Sequence, residues 1–486
     1  MLRSISSLLL GTVICTSLWA EKPNLLLIVA DDMGYGDLSC YGSKQIATPN
    51  LDRLAGGGVR CTDGYVSGPV CAPSRAGLMT GRYGSRFGFE HNLSHPAGLE
   101  DEFAGIPLDE TLLPQRLKEQ GYRTGLVGKW HLGEAVPGHH PRERGFDFFF
   151  GMLGGSHAYF PTPSKNRLLY DHDSPKEIRT PYLTDWFTLE AIDFIQGERK
   201  SEDSAIEQPW FLYLSYNTPH GPMQAKPEDI ERFSHIHDKT RRIYCAMQYC
   251  MDENVGKIID ALESTGQLEN TLIAFISDNG GSVEVSHAVN APLRGTKGTF
   301  LEGGIRVPTI YHWPAKLPGG TVYREPVIAL DIVNTFVTAA GGKMPSPGRA
   351  EQGKGRKNSP VYDGVDLVPF FREETKESPH DVLYWRMALR GAAVREGDWK
   401  LLIPNSQLPQ LYHLKEDIGE TANLIREKPD IAERLLAKLN AWEANLERNP
   451  LFMSGPYWSS YNKRLYDKIY SLEQPLPDSM EDIWSF

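Results

Sequence analysis

Four strand candidates constrain this chain more than any other feature. Residues 24–30, 210–216 and 271–277 are short runs of almost wholly apolar side chains, and residues 122–127 form another candidate after a glycine stop at Gly121. A strand can be apolar on both sides only if both faces of its sheet are covered, as in a parallel sheet between helical layers. Each candidate runs into residues able to bind a metal or move a proton: Asp31-Asp32, then Lys129 and His131, then Pro219-His220, then Asp278-Asn279. Open α/β sheets bind ligands at the carboxyl ends of their strands, so four such endings imply one shared crevice.

The intervening segments supply helices. Thr48-Pro49 reads as an N-cap with proline in the first turn, opening a short helix that stops at Gly56-Gly57-Gly58. Residues 110–117, 240–263 and 331–340 read as further helices, and residues 307–311 as a short extended run. Between residues 151 and 183 no period survives, and Gly154-Gly155 with Pro161-Thr162-Pro163 marks a long irregular segment expected to be functional. Further on the pattern changes. Residues 382–389, 392–395 and 399–403 alternate around Gly391 and Gly397-Asp398, as an antiparallel sheet would, and residues 429–446 carry apolar side chains at helical spacing. The expected fold class is α/β: a large mixed, mostly parallel sheet flanked by helices, with a smaller C-terminal antiparallel sheet plus helix.

At 486 residues the chain exceeds the usual size of one hydrophobic core. The expected division is a signal peptide over 1–20, a catalytic domain over 21–345, a linker over 346–359, a smaller α+β domain over 360–450 and a tail over 451–486. Residues 1–20 hold one charge, Arg3, and an apolar centre, and end at Ala20, which fits a cleaved secretory signal and hence a periplasmic or secreted protein. The apolar run is too short to span a bilayer, so no stable membrane insertion is expected. Lys and Arg number 51 against 62 Asp and Glu, and this acidic balance argues against nucleic acid as a partner. Beyond the signal, Cys40, Cys61, Cys71, Cys245 and Cys250 remain. Cys71 apart, they allow zero, one or two disulfides, and their spacing matches no zinc site.

Cys71-Ala72-Pro73-Ser74-Arg75 leads into Leu78-Met79-Thr80-Gly81-Arg82. Pro73 suits a first helical turn, so Cys71 is expected just ahead of a helix whose free N–H groups and dipole favour an anion or a reactive sulfur derivative. A buried, inert thiol is the ordinary alternative for such a residue. Cys-x-Pro-Ser-Arg resembles the signature of the formylglycine-dependent sulfatases, within the alkaline phosphatase superfamily. Asp31-Asp32-Met33-Gly34, Gly128-Lys129-Trp130-His131-Leu132-Gly133, Pro219-His220, Ser277-Asp278-Asn279-Gly280 and Lys297 stand in that family's order, so the resemblance covers about residues 21–345.

Asp31, Asp32, Asp278 and Asn279 make an all-oxygen donor set suited to Ca²⁺ or Mg²⁺. The resemblance implies that a maturation enzyme converts Cys71 to formylglycine (3-oxoalanine), whose hydrate attacks sulfur beside that metal. It further implies that Arg75 holds the modified side chain, Lys129 helps hold the sulfate, His220 and Lys297 assist the leaving oxygen, and His131 takes a proton as the aldehyde reforms. A sulfated carbohydrate is the expected substrate, with Arg86, His91, His157 and Arg386 as candidate substrate contacts. The alternatives are a phosphodiester or phosphonate monoester hydrolase of the same superfamily and a non-catalytic sulfated-glycan-binding protein.

Overall fold

A computed structural model describes residues 22–93, 105–133, 137–161, 179–197, 208–345, 348, 360–388, 390–405 and 407–446, with the backbone of 170–171. The expected signal peptide and tail, and all of the expected linker but Gly348, lie outside the described residues.

The strands in chain order are β1 Asn24–Ala30, β2 Val59–Cys61, β3 Gly64–Tyr65, β4 Arg123–Lys129, β5 Phe148–Met152, β6 Tyr170–Asp171, β7 Trp210–Ser215, β8 Thr271–Ser277, β9 Thr309–His312, β10 Thr321–Tyr323 and β11 Val327–Ile328. Nine of them form one sheet in the order β10-β2-β9-β8-β1-β7-β4-β5-β6, and β11 pairs with β3 in a separate two-stranded ribbon. The central five, β8-β1-β7-β4-β5, are all parallel, while β9 runs antiparallel to both β8 and β2 and β6 runs antiparallel to β5. The sheet is therefore mixed and mostly parallel.

Alternation along β1 explains the apolar runs. Leu25, Leu27 and Val29 face one layer, where they join side chains of the helices Cys71–Thr80, Leu113–Glu119 and Asp331–Ala339. Leu26, Ile28 and Ala30 face the other, with the helices Pro49–Gly56, Leu183–Gln196 and Lys239–Ser264. Because both faces are covered, neither set can be polar.

Four further strands, β12 Val382–Met387, β13 Gly391–Glu396, β14 Trp399–Pro404 and β15 Gln410–His413, form an antiparallel sheet in sequence order. The helix Pro429–Glu443 packs on it through Leu435 and Leu439, and the apolar cluster these residues form is continuous with the Cys71 side of the large sheet. Several elements depart from the sequence reading, two of them in or beside the segment read as irregular. Residues 148–152 form β5, reaching into the segment read as irregular, and Leu183–Gln196 is a helix that the pattern did not reveal. That helix is apolar on most of its surface, with Trp186, Phe187 and Phe194 buried beside Leu183 and Ala191, so its helical period is blurred. No disulfide forms among the described residues; the five cysteines are free thiols.

Candidate active site

The parallel strands deliver their endings to one edge. Asp31 and Asp32 follow β1, Lys129 closes β4 with His131 two residues on, His220 lies beyond β7, and Asp278 and Asn279 follow β8. Gly128 makes the β4 ending possible: its φ is +113°, and a Cβ there would lie 1.9 Å from the Ser215 carbonyl oxygen. Asp32 and His131 themselves adopt positive φ, +66° and +56°. For residues with a Cβ this backbone is strained, and such strain gathers where side-chain aim matters more than local ease.

Cys71 is the first residue of its helix rather than a residue ahead of it, because the extended Val70 takes the N-cap position and Pro73 falls third, still within the turn whose N–H groups need no partner. The next free N–H, of Ala72, donates to Asn92 Oδ1 at 2.9 Å. The Cys71 sulfur sits 3.1 Å from Lys297 Nζ and 3.6 Å from Asp31 Oδ1. Lys129 Nζ contacts Asp31 at 2.7 Å, and Lys297 Nζ contacts Asp32 at 2.6 Å. Arg75 clamps Asp278 through both Nε and Nη2 at 2.9 Å, while its Nη1 donates to Ser215 Oγ at 2.5 Å and Tyr213 Oη at 3.2 Å. Asp278 in turn accepts the Asp32 N–H at 3.2 Å, and Asn279 Nδ2 donates to Asp32 Oδ1 at 2.7 Å.

Sequence reasoning did not assign roles to Ser215 and Tyr213. Their only signal was position: polar groups on a strand that ends at this crevice.

Three carboxylates face three cations here, so the cluster is close to neutral as it stands. A divalent cation would leave it positive by about two, which an anionic sulfate can offset. The donor set fits such an ion. Asn279 Oδ1 is buried without a hydrogen-bond partner, and an orphaned oxygen beside three carboxylates is what a hard cation takes. The atoms of Asp31, Asp32, Cys71 and His220 also lie within 4.8 Å of one another. Of these two descriptions the oxygen set is the better ligand shell for Ca²⁺ or Mg²⁺, because hard cations take oxygen rather than imidazole or thiol donors and Cys71 keeps its proton.

Burial pushes the Cys71 thiol up to about 12, with Asp278 and Asp31 adding to it against Lys129 and Lys297. The helix N-terminus therefore does not produce a reactive thiolate, and an unmodified Cys71 is a poor nucleophile at neutral pH. Burial, joined by Lys129, Arg75, Lys297 and His220, holds His131 well below the ordinary histidine range, so its ring is neutral and can accept a proton. Burial acts to raise Asp31, but Lys129, His220 and Arg75 outweigh it and hold the carboxyl below its usual range.

Exposure sorts the members. Asp31, Arg75, Lys129 and Asp278 are at 0% exposure, whereas the Lys297 and His220 side chains are 17% and 24% exposed. Solvent, and hence a substrate, meets Lys297 and His220 first. Tyr159, from the irregular segment, backs His220 by placing its hydroxyl 2.8 Å from the His220 carbonyl.

The four candidate substrate contacts separate. Arg86 is buried and holds Asp363 through Nε at 2.8 Å and Nη2 at 2.6 Å, so it links two chain segments 277 residues apart in sequence. Arg386 lies between Glu90 and Glu443 at 3.7 and 3.6 Å, again engaged with carboxylates. His157 is buried with Nδ1 on the Ala158 carbonyl at 2.7 Å. His91 is buried, and its Nε2 has no hydrogen-bond partner.

Among known proteins, the family described as Sulfatase matches residues 23–342. Arylsulfatase J of Mus musculus is 33% identical over 418 residues, covering 79% of this chain and 65% of that protein. N-acetylgalactosamine-6-sulfatase of Canis lupus familiaris is 34% identical over 369 residues, covering 72% and 66%. This chain thus spans just under two thirds of the length of these two relatives. The crystal structure of Ps i-CgsB in complex with k-i-k-neocarrahexaose matches with a TM-score of 0.81 and 36% identity, covering 91% of this chain and 97% of that one.

Proposed function

The chain belongs to the sulfatase family, and from that premise we propose that it hydrolyses sulfate esters of carbohydrates, using formylglycine made from Cys71 by a maturation enzyme together with Ca²⁺ or Mg²⁺. The observation that carries the reading is the convergence of four strand endings on Cys71, with Lys297 and His220 at its open side. When present, the aldehyde hydrate supplies a hydroxyl nucleophile and the metal supplies charge against the sulfate oxygens.

The chain's own residues do the remaining work. Asp31, Asp32, Asp278 and Asn279 hold the metal, with Lys129 and Arg75 fixing the carboxylates of Asp31 and Asp278. Lys297, at the sulfur of Cys71, draws the anionic ester to the nucleophile. His220 keeps its Nδ1 proton on the Gly221 carbonyl, so Nε2, when the ring is doubly protonated, is the atom that delivers a proton to the departing oxygen. His131, neutral and buried, accepts a proton from the residue-71 side chain in the later step. The carbohydrate assignment draws support from relatives whose names or titles specify N-acetylgalactosamine-6-sulfatase and k-i-k-neocarrahexaose.

Peptide mass analysis of active protein should find aldehyde in place of the thiol at residue 71; full turnover with an intact thiol, or by Cys71→Ala, would reject the proposal. Turnover of 4-nitrophenyl sulfate, bis(4-nitrophenyl) phosphate and a panel of sulfated saccharides completes the test. Faster phosphodiester turnover would favour the other hydrolase class, and saccharide binding without turnover a glycan-binding protein. Export is part of the proposal, and N-terminal sequencing of protein from periplasm or medium should find residues 1–20 removed.

A further inference from the structure

Several buried arginines are neutralised by a carboxylate: Arg75 by Asp278, Arg82 by Glu110, Arg395 by Asp63. Arg390 is different. It lies in the turn between β12 and β13, is exposed, and has no acidic partner among the described residues. Its Nη1 donates to the Gly298 carbonyl at 3.2 Å, so the guanidinium rests on the residue that follows Lys297. Gly298 is tied on its other side to the loop of the nucleophile, its N–H donating to the Pro69 carbonyl at 2.7 Å. The backbone at Gly298 favours glycine through its φ of +86°, and the guanidinium comes close enough that a Cβ there would lie 2.6 Å from Arg390 Nη1.

A second group completes the picture. His91 is 94% buried, its Nε2 has no hydrogen-bond partner, and Arg390 is the charge that acts on its ring. Burial and Arg390 hold that ring below the usual histidine range against the opposing Ala388 backbone hydrogen bond, so at neutral pH it is uncharged; with the other ring nitrogen donating to the Ala388 carbonyl, Nε2 keeps a lone pair and accepts one hydrogen bond. The neighbouring Asn92 caps the N–H of Ala72, one residue past Cys71. A cation without a counter-charge among the described residues and an imidazole with one free nitrogen thus flank the mouth of the site, one on the Lys297 loop and the other beside the Cys71 helix cap. In a chain of net charge −11, an unneutralised cation at that place attracts anions that the rest of the surface repels.

We propose that Arg390 is the anion-binding group of a second subsite beside the reaction centre, with His91 Nε2 accepting from a neighbouring sugar hydroxyl, and that this subsite selects sugars carrying an additional sulfate or carboxylate near the ester that is cleaved. The proposal rests on the sulfate-ester reading above. A bidentate guanidinium contact to a sulfate or carboxylate is charge-assisted, so its loss lowers affinity for the doubly anionic substrate by about 10–100-fold.

The test compares wild type, Arg390→Ala, Arg390→Lys and His91→Phe on four substrates: 4-nitrophenyl sulfate, a monosulfated saccharide, the same saccharide with a second sulfate, and one with a uronic carboxylate instead. Arg390→Ala should lose kcat/KM on a doubly anionic saccharide at least about 10-fold more than on the monosulfated one, mainly through KM. Arg390→Lys should recover part of this, raised salt should narrow the gap, and His91→Phe should lower kcat/KM on the saccharides alike while sparing the aryl sulfate. Whichever second group shows the larger differential in Arg390→Ala is the group recognised. Equal losses by Arg390→Ala on singly and doubly anionic saccharides overturn the subsite. Wild-type cleavage of the aryl sulfate with no cleavage of any saccharide overturns the carbohydrate reading on which it rests.

Discussion

Replacing Lys400 by methionine removes the one cation between two buried glutamates. Lys400 comes from β14 of the C-terminal sheet, and its Nζ lies 2.8 Å from Glu302 Oε1 and 2.9 Å from Glu420 Oε1, all three side chains lying out of solvent. Burial works against the Glu302 charge, but Lys400, Arg306 and Arg395 outweigh it and hold this carboxyl below its usual range. Burial and Glu302 raise Glu420, against the pull of Lys400. Without the lysine the two carboxylates face each other, and Glu420 must take up a proton or leave its place. Breaking a fully buried pair in this way costs about 3–5 kcal/mol. An unfolding entropy of about 2.1 cal/mol/K per residue over 486 residues is about 1 kcal/mol/K, so the melting temperature should fall by about 3–5 °C.

The same change should reach the active site. Glu420 Oε2 accepts the Glu302 N–H at 2.7 Å and its carbonyl accepts Arg294 Nη1 at 2.6 Å, so it holds both ends of the segment that carries Lys297. Differential scanning calorimetry at pH 7 gives the stability, and kcat/KM of the folded variant gives the effect on Lys297. In a Glu420→Gln background the cost of Lys400→Met should shrink by about 1 kcal/mol or more, since the second carboxylate is gone. A melting temperature within 1 °C of wild type, or a cost undiminished by Glu420→Gln, would refute the reasoning.

Asp278→Ala should abolish turnover and weaken stabilisation by calcium, because Arg75 is left without its clamp partner. Calorimetry with and without Ca²⁺ checks this, and Ca²⁺ or Mg²⁺, not zinc alone, should restore chelated wild type. His220→Ala should lose about 10²-fold more kcat/KM on a sugar sulfate than on 4-nitrophenyl sulfate, whose leaving group needs little proton assistance; equal losses would remove it as the acid. His380 supplies a pH test of stability: burial opposes its charge, but Asp331 at 2.8 Å outweighs this and raises its pKa. Its contribution should be fully present below about pH 6.5 and lost as pH rises through the raised folded value, and His380→Gln should flatten that part of a stability-against-pH curve.

Much of this architecture was legible in the chain because the relevant forces leave local traces. A strand covered on both faces must be apolar throughout, so β1, β7 and β8 were visible as runs, and the polar residues that follow them marked the crevice. Proline after threonine announced the helix Pro49–Gly56. Short strands near the sheet margin such as β2 and β10 have three residues each, too few for a period, and take their conformation from neighbours distant in sequence.

What the sequence by itself determined is therefore the chemistry available and the edge at which it gathers: the aspartates, lysines and histidines of the strand endings, and the cysteine at a helix start. Only the tertiary structure decided what each of these groups can do. Burial turned Cys71 into a protonated thiol despite its helix N-terminus, engaged Arg86 with Asp363, buried Lys400 between Glu302 and Glu420, and left Arg390 without a carboxylate among the described residues beside the Lys297 loop. The reason is that solvation and the nearest counter-charge set the behaviour of an ionisable group, and both are supplied by residues remote along the chain.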